Sequence, residues 1–163
     1  MADADTVEPP VQLDVVIEIP RWSFLKRGSG GRVDFVSPLP CPFNYGSVRA
    51  FIGSDDDFLD AIVLGPRLAR GMRVTVHAYG AIGLTDRGMY DDKLVCSRQP
   101  LQWWDRRMVL FYMHIYGWSK RLLNRYRRRR GRTVCEGWKD ARHAIARARS
   151  CQDETSVQPC VPF

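Results

Sequence analysis

The stretch SDDDFLDAIVLGP, residues 54–66, puts Asp55, Asp56, Asp57 and Asp60 within six positions and then turns apolar. Carboxylates crowded in this way repel one another unless a cation or hydrogen bonds offset them. Asp55 and Asp57 are two residues apart, so on extended chain they point to the same side, and Asp60 follows one short turn later. A second acidic run, TDRGMYDDK over 85–93, gathers Asp86, Asp91, Asp92 and Lys93 around a glycine turn, and Glu18 lies on the first apolar stretch. Oxygen donors without His or Cys suit a hard divalent cation, Mg2+ or possible substitutes such as Mn2+. Several carboxylates at one site would hold more than one such ion, and ions there neutralise charge on a bound phosphate. Read singly, each run is also a solvated turn in which Asp is favoured for local hydrogen bonds.

Other chemistries find no support. An EF-hand loop begun at Asp55 would have Asp60 where glycine is required and Pro66 where the closing glutamate belongs. The chain has no P-loop, no GxSxG and no HExxH, and its three histidines, 77, 114 and 143, are scattered.

The elements that would carry these residues are short strands followed by helix. LDVVIEI (13–19) is rich in β-branched residues and stops at Pro20; RVDFV (32–36), VRAFI (48–52), LDAIVL (59–64), MRVTVHAYGAIGLTD (72–86) and DKLVC (92–96) read as further strands. Gly80 and Gly83 fit a bulge or bend in a tightly curved sheet. The proline-punctuated SPLPCPFNYG (37–46) cannot be helical. Beyond Pro100 the period changes: Trp104, Met108, Phe111, Ile115, Trp118 and Leu122 recur every three or four residues, which predicts an amphipathic helix over 101–126. Trp103, Trp104 and Trp118 read as core or interface on this helix. EGWKDARHAIARAR (136–149) reads as the entry to a second helix. Several bent strands followed by two helices predict an α+β, mainly β, fold: a small barrel with two C-terminal helices packed on it.

A chain of 163 residues with 45% hydrophobic content suits one domain with one core, here 13–150, after a disordered lead-in over 1–12 and before a tail over 151–163. No apolar run approaches the length of a membrane span, and the acidic N-terminus lacks the apolar segment of a signal peptide. The five cysteines are odd in number and unclustered, which points to reduced thiols in a cytoplasmic protein. The net charge of +7 is uneven: residues 1–97 carry −3 and residues 98–150 carry +12. The arginine-rich run SKRLLNRYRRRRGR (119–132) is a solvated helix end, a nucleic-acid or polyphosphate patch, or a contact between subunits.

Taken together and in order, VVIEIP (15–20), PFNYG (42–46), DDDFLDAIV (55–63), GAIGLTDRGMYDDKLV (80–95) and EGW (136–138) resemble the family I soluble inorganic pyrophosphatases. The family signature D-G-D-P-x-D stands here as Asp55-Asp56-Asp57-Phe58-Leu59-Asp60: its three aspartates are kept, its Gly and Pro are not. The resemblance implies an OB-like five-stranded barrel with helices. It also implies Mg2+-dependent hydrolysis of pyrophosphate to two phosphates by metal-activated water, and a homo-oligomer, a hexamer or smaller. Carried over by resemblance, Asp55, Asp60 and Asp91 hold two activating metals, and Asp57 is the base for the attacking water. Asp86 with Asp91 holds a metal that arrives with substrate, assisted by Glu18. Lys26 and Lys93 contact phosphate, Tyr45 hydrogen-bonds at the site edge, and Tyr116 matches the Tyr of a Tyr-Lys pair on the long helix.

The departures fall on the phosphate clamp. Cys41 stands where the family has Tyr, Gly117 where it has Lys, and Lys26-Arg27-Gly28 lacks the expected acid. Asp34-Phe35 replaces an Asp-Arg pair, with Arg27 or Arg32 as possible substitutes. Each lost charge-assisted contact costs about 1.5–3 kcal/mol, so the expectation is an active but weaker pyrophosphatase. Two rivals stand beside it: a weakened paralogue that binds a polyanion through its basic helix, and a hydrolase of another small phosphoanhydride.

Overall fold

A computed structural model describes residues 9–27, 33–36, 40–54, 56–128 and 130–150. The elements are β1 (Val11–Ile19), β2 (Leu25–Arg27), β3 (Val33–Val36), β4 (Asn44–Ile52), β5 (Phe58–Val63), β6 (Arg73–Asp86) and β7 (Met89–Tyr90). They continue with β8 (Lys93–Ser97), α1 (Trp103–Tyr126), β9 (Val134–Lys139), α2 (Ala141–Arg147) and β10 (Arg149–Ser150).

Five strands close a barrel in the order β1-β4-β5-β8-β6, with β6 returning to β1 over Val11↔Ala78 through Val16↔Arg73. The pairings are antiparallel except for β5 with β8, where Asp60 lies opposite Lys93. The expected mainly-β barrel with two helices is therefore the fold. β6 bends as its glycines suggest, with register shifts at Ala78/Gly80 against β8 and at Gly83/Leu84 against β9.

Alternation along the strands splits the core into two clusters. Val15, Ile17, Val48, Ala61, Val63, Val76, Leu94 and Cys96 form one, which α2 joins through Ala141 and Ala144. Ile19, Phe43, Tyr45, Ile62, Ile82 and Val95 form the other, under Val109 and Met113 of α1. Among the described residues, no helix is long and apolar enough to cross a membrane.

Four sequence expectations change. EGW does not begin a helix: residues 134–139 pair with β6 as a strand, with Gly137 at φ +90°, and the helix starts only after the Asp140 side chain caps the Arg142 amide. β4 starts at Asn44 instead of 48, because the FNY segment pairs with β5 up to Val63. The stripe that signalled α1 faces outward: Phe111 is 70% and Trp118 65% exposed, with Trp104, Met108 and Leu122 also exposed. The buried line on α1 is Val109, Met113, Gly117 and Asn124. The disordered lead-in expected over 1–12 ends earlier, because Val11 and Gln12 already pair with Ala78 and His77 of β6; residues 1–8, the tail over 151–163 and Arg32 lie outside the described residues.

Trp138 lies so close over Gly80 that a Cβ at 80 would overlap its indole ring. Gly80→Ala is expected to lower stability by about 1–3 kcal/mol through overpacking, read from the urea unfolding midpoint. An unchanged midpoint would mean that the indole lifts away without cost.

Candidate active site

β5 and β8 run in parallel register, so Asp60 and Lys93 project side by side. Lys93 is 1% exposed, and its Nζ lies 2.6 Å from Asp60 Oδ2 and 3.0 Å from Asp91 Oδ1. Asp91 lies in the segment between β7 and β8, two residues before Lys93, and its carboxylate reaches the same ammonium. The Tyr45 hydroxyl, from β4, donates to the same Asp60 oxygen, and the ammonium sits 5.4 Å from the Tyr45 ring centroid. Burial by itself favours the neutral amine, yet the charges of Asp60 and Asp91 hold the Lys93 ammonium well above the usual lysine range. Burial, then the Asp60 charge, pushes the Tyr45 phenol well above its ordinary value.

A second ammonium extends the pattern. Lys120 of α1 places Nζ 2.8 Å from Asp86 Oδ2 and 3.5 Å from Asp91 Oδ2, and 5.6 Å from the Tyr116 ring centroid. Asp86 also accepts hydrogen bonds from Asn124 Nδ2 and Thr133 Oγ1, both at 3.1 Å, through Oδ1. Burial opposes ionisation of Asp86, but Lys120, Thr133 and Asn124 together hold its carboxyl below the usual range. The charges thus alternate as Asp60, Lys93, Asp91, Lys120, Asp86.

The remaining residues singled out from sequence fall around this chain. Glu18 of β1 accepts a hydrogen bond from Ser47 Oγ at 2.7 Å, and Ser47 is the register partner of Asp60. Asp57 is exposed in the turn before β5, its Oδ1 accepting the Phe58 amide at 2.9 Å. A proline in place of Phe58, as in the family signature, would have no amide to give. Asp56, where the signature has glycine, sits at φ +62°, a region that among other residues Asp and Asn enter most readily. Asp55 lies outside the described residues, as does the side chain of Lys26 on β2. Asp92 turns to the opposite side, is buried, and pairs with Arg147 of α2. Cys41, in place of the family Tyr, keeps its thiol beside the Tyr112 hydroxyl of α1, and burial raises its pKa.

Sequence reasoning missed Lys120, Asn124, Thr133 and Ser47. The available signal was spacing: Lys120 and Asn124 follow Tyr116 at successive fours, on one face of the helix. Among the described residues, no three His, Cys, Asp or Glu side chains gather closely enough to hold an ion. The donor chemistry nonetheless fits a hard divalent cation: Asp60, Asp86 and Asp91 offer oxygen alone, and each already meets a positive charge.

A family model described as inorganic pyrophosphatase matches residues 15–156. An inorganic pyrophosphatase of Neisseria meningitidis is 28% identical over 166 residues, covering 88% of this chain and 92% of that protein. One of Brucella melitensis is 28% identical over 101 residues, covering 56% of this chain and 57% of that protein, so the match spans little more than half the relative's length. The crystal structure of the Thermus thermophilus inorganic pyrophosphatase superposes with a TM-score of 0.69 at 22% identity, over 95% of each chain, and shares the fold.

Lys93→Met leaves the partly buried Asp60 and Asp91 without their shared cation and is expected to cost about 1–3 kcal/mol. The folded-state pKa of Lys93 is raised, so its contribution is complete below the unfolded lysine value, about 10.4, and is lost as pH rises through the higher folded value. Urea unfolding of wild type and variant should therefore differ by a constant amount from pH 7 to about 10. A gap that closes within that window would contradict the charged pairing.

Proposed function

The chain belongs to the inorganic pyrophosphatase family, and from that membership we propose that it hydrolyses inorganic pyrophosphate to two phosphates with Mg2+ as its cofactor. The observation that carries this reading is the alternating line of carboxylates and ammonium groups, whose Asp60, Asp86, Asp91 and Lys93 come from segments that resemble the family and whose Lys120 comes from α1. Asp55, Asp60, Asp86, Asp91 and Glu18 are the proposed ion ligands. When bound, the cation supplies neutralisation of phosphate charge and a lower pKa for a nearby water. Asp57 is the proposed base, taking the proton of the attacking water at a carboxylate oxygen. Lys26, Lys93 and Tyr116 are the proposed phosphate contacts. Tyr45 and Lys93 also fix Asp60 by donating to its Oδ2. Phosphoryl transfer asks mainly for such positioning and charge compensation. Free thiols at Cys41, Cys96 and Cys135 are in keeping with a cytoplasmic enzyme.

The homo-oligomer implied by the resemblance has a surface to use. Trp104, Met108, Phe111, Trp118 and Leu122 expose a continuous apolar stripe of the kind that contacts between copies cover. Sedimentation should give an assembly of two to six copies, about as the resemblance suggests, and Phe111→Glu should shift it toward single chains. A wild type that sediments as one chain would remove this assignment.

Phosphate release from pyrophosphate with and without Mg2+ tests the activity. Mg2+-dependent release is expected, and Asp57→Asn should reduce kcat by about 100-fold or more, the scale of a lost general base. Absence of release from a wild type that still binds Mg2+ would instead favour a polyanion-binding relative working through residues 119–132.

A further inference from the structure

The two ammonium groups of the site are not equivalent. Lys93 is 1% exposed and meets two carboxylates, whereas the Lys120 side chain is 26% exposed towards the outer end of the charge line. Lys120 reaches this place from α1, one turn beyond the buried Gly117, where a Cβ would meet Cys135 and Leu84 at ordinary contact distance. α1 thus delivers its cation from 120.

We propose that Lys120 is a substrate-binding residue: its ammonium is the internal counter-ion of Asp86 and Asp91 in the free protein and passes to a diphosphate oxygen when the anion arrives. The inference rests on the pyrophosphatase reading and deepens it. A diphosphate brought against three carboxylates is repelled unless mobile positive charge meets it. A lysine on a flexible four-carbon stem can swing its ammonium without moving the helix that bears it. Asp86 is prepared for that exchange, because its two oxygens are held by different partners. Asn124 and Thr133 hold Oδ1, and Lys120 holds Oδ2. Departure of Lys120 frees Oδ2 for an incoming divalent cation while the carboxylate keeps its orientation. The same ammonium thus occupies Asp86 Oδ2 before substrate binds and stabilises the anion afterwards.

The two roles give effects of opposite sign in one variant. Calorimetry would follow two probes on wild type, Lys120→Met and Lys120→Arg: Mg2+ alone, and methylenediphosphonate with Mg2+, whose P–C–P bridge is not hydrolysed. Lys120→Met should bind Mg2+ alone several-fold more tightly and methylenediphosphonate about tenfold or more weakly, the scale of one charge-assisted contact. Lys120→Arg should recover part of the anion affinity. If both affinities fall together, or neither changes, Lys120 is a structural counter-ion and the proposal is wrong. A wild type that neither releases phosphate from pyrophosphate nor binds the diphosphonate overturns the family-based activity itself. An active wild type with an unaltered Lys120→Met overturns the role of Lys120 alone.

Discussion

A lysine ammonium sealed inside a barrel wall is tolerable only where carboxylates meet it, and Lys93 imposes that condition on everything around it. The parallel pairing of β5 with β8 satisfies it from one side by setting Asp60 beside Lys93. The segment leading into β8 satisfies it from the other, because Asp91 there reaches the same ammonium. Tyr45 adds a donor to Asp60 from β4, so three barrel strands converge on one buried positive charge. Barrel closure and site geometry are in this sense one constraint: a slip of a single residue between β5 and β8 would turn Asp60 away and leave the ammonium alone.

From that centre the charges propagate outward to the helices. Asp91 uses its second oxygen for Lys120, and Lys120 ties α1 to Asp86 at the end of β6. Asn124 and Thr133 fasten the same carboxylate to α1 and to the segment leading into β9. Asp92, in the opposite phase of the pleat, does the equivalent work for α2. Its buried carboxylate pairs with Arg147, whose guanidinium lies 4.9 Å from the Tyr90 ring centroid. Burial is the larger influence on Asp92 and raises its pKa despite the arginine, whereas at Asp86 the donors outweigh burial. Two consecutive aspartates, Asp91 and Asp92, therefore anchor two different helices to one strand.

The barrel strands, the bends at Gly80 and Gly83 and the long helix were legible because each rests on local chemistry: β-branched alternation, glycine where the backbone is crowded, and apolar residues at helical spacing. Asp60, Asp86 and Asp91 stood out as members of crowded acidic runs, but spacing did not say that they, and not Asp92, would line up on Lys93 and Lys120. β9 was hidden because EGWKDARHAI carries a helix-like pattern, and only its pairing with β6, a partner about 50 residues away, makes it a strand. Lys120 was hidden for a different reason. It sits inside an arginine-rich run whose simplest reading is a solvated helix end, and its spacing of four from Tyr116 was the sole local sign that it turns inward.

The inward face of α1 is made from residues that sequence patterning undervalues. Its strongest periodic signal, Trp104 through Leu122, lies on the exposed side, while the packed line is Val109, Met113, Gly117 and Asn124. Gly117 on that line meets Cys135 of β9 and Leu84 of β6 at ordinary contact distance, and Asn124 on it reaches the Asp86 carboxylate. Between them Lys120 brings a cation from the helix to Asp86 and Asp91. The charged end of α1 is thus set by which polar side chains lie on its packed side, a property that apolar periodicity does not report.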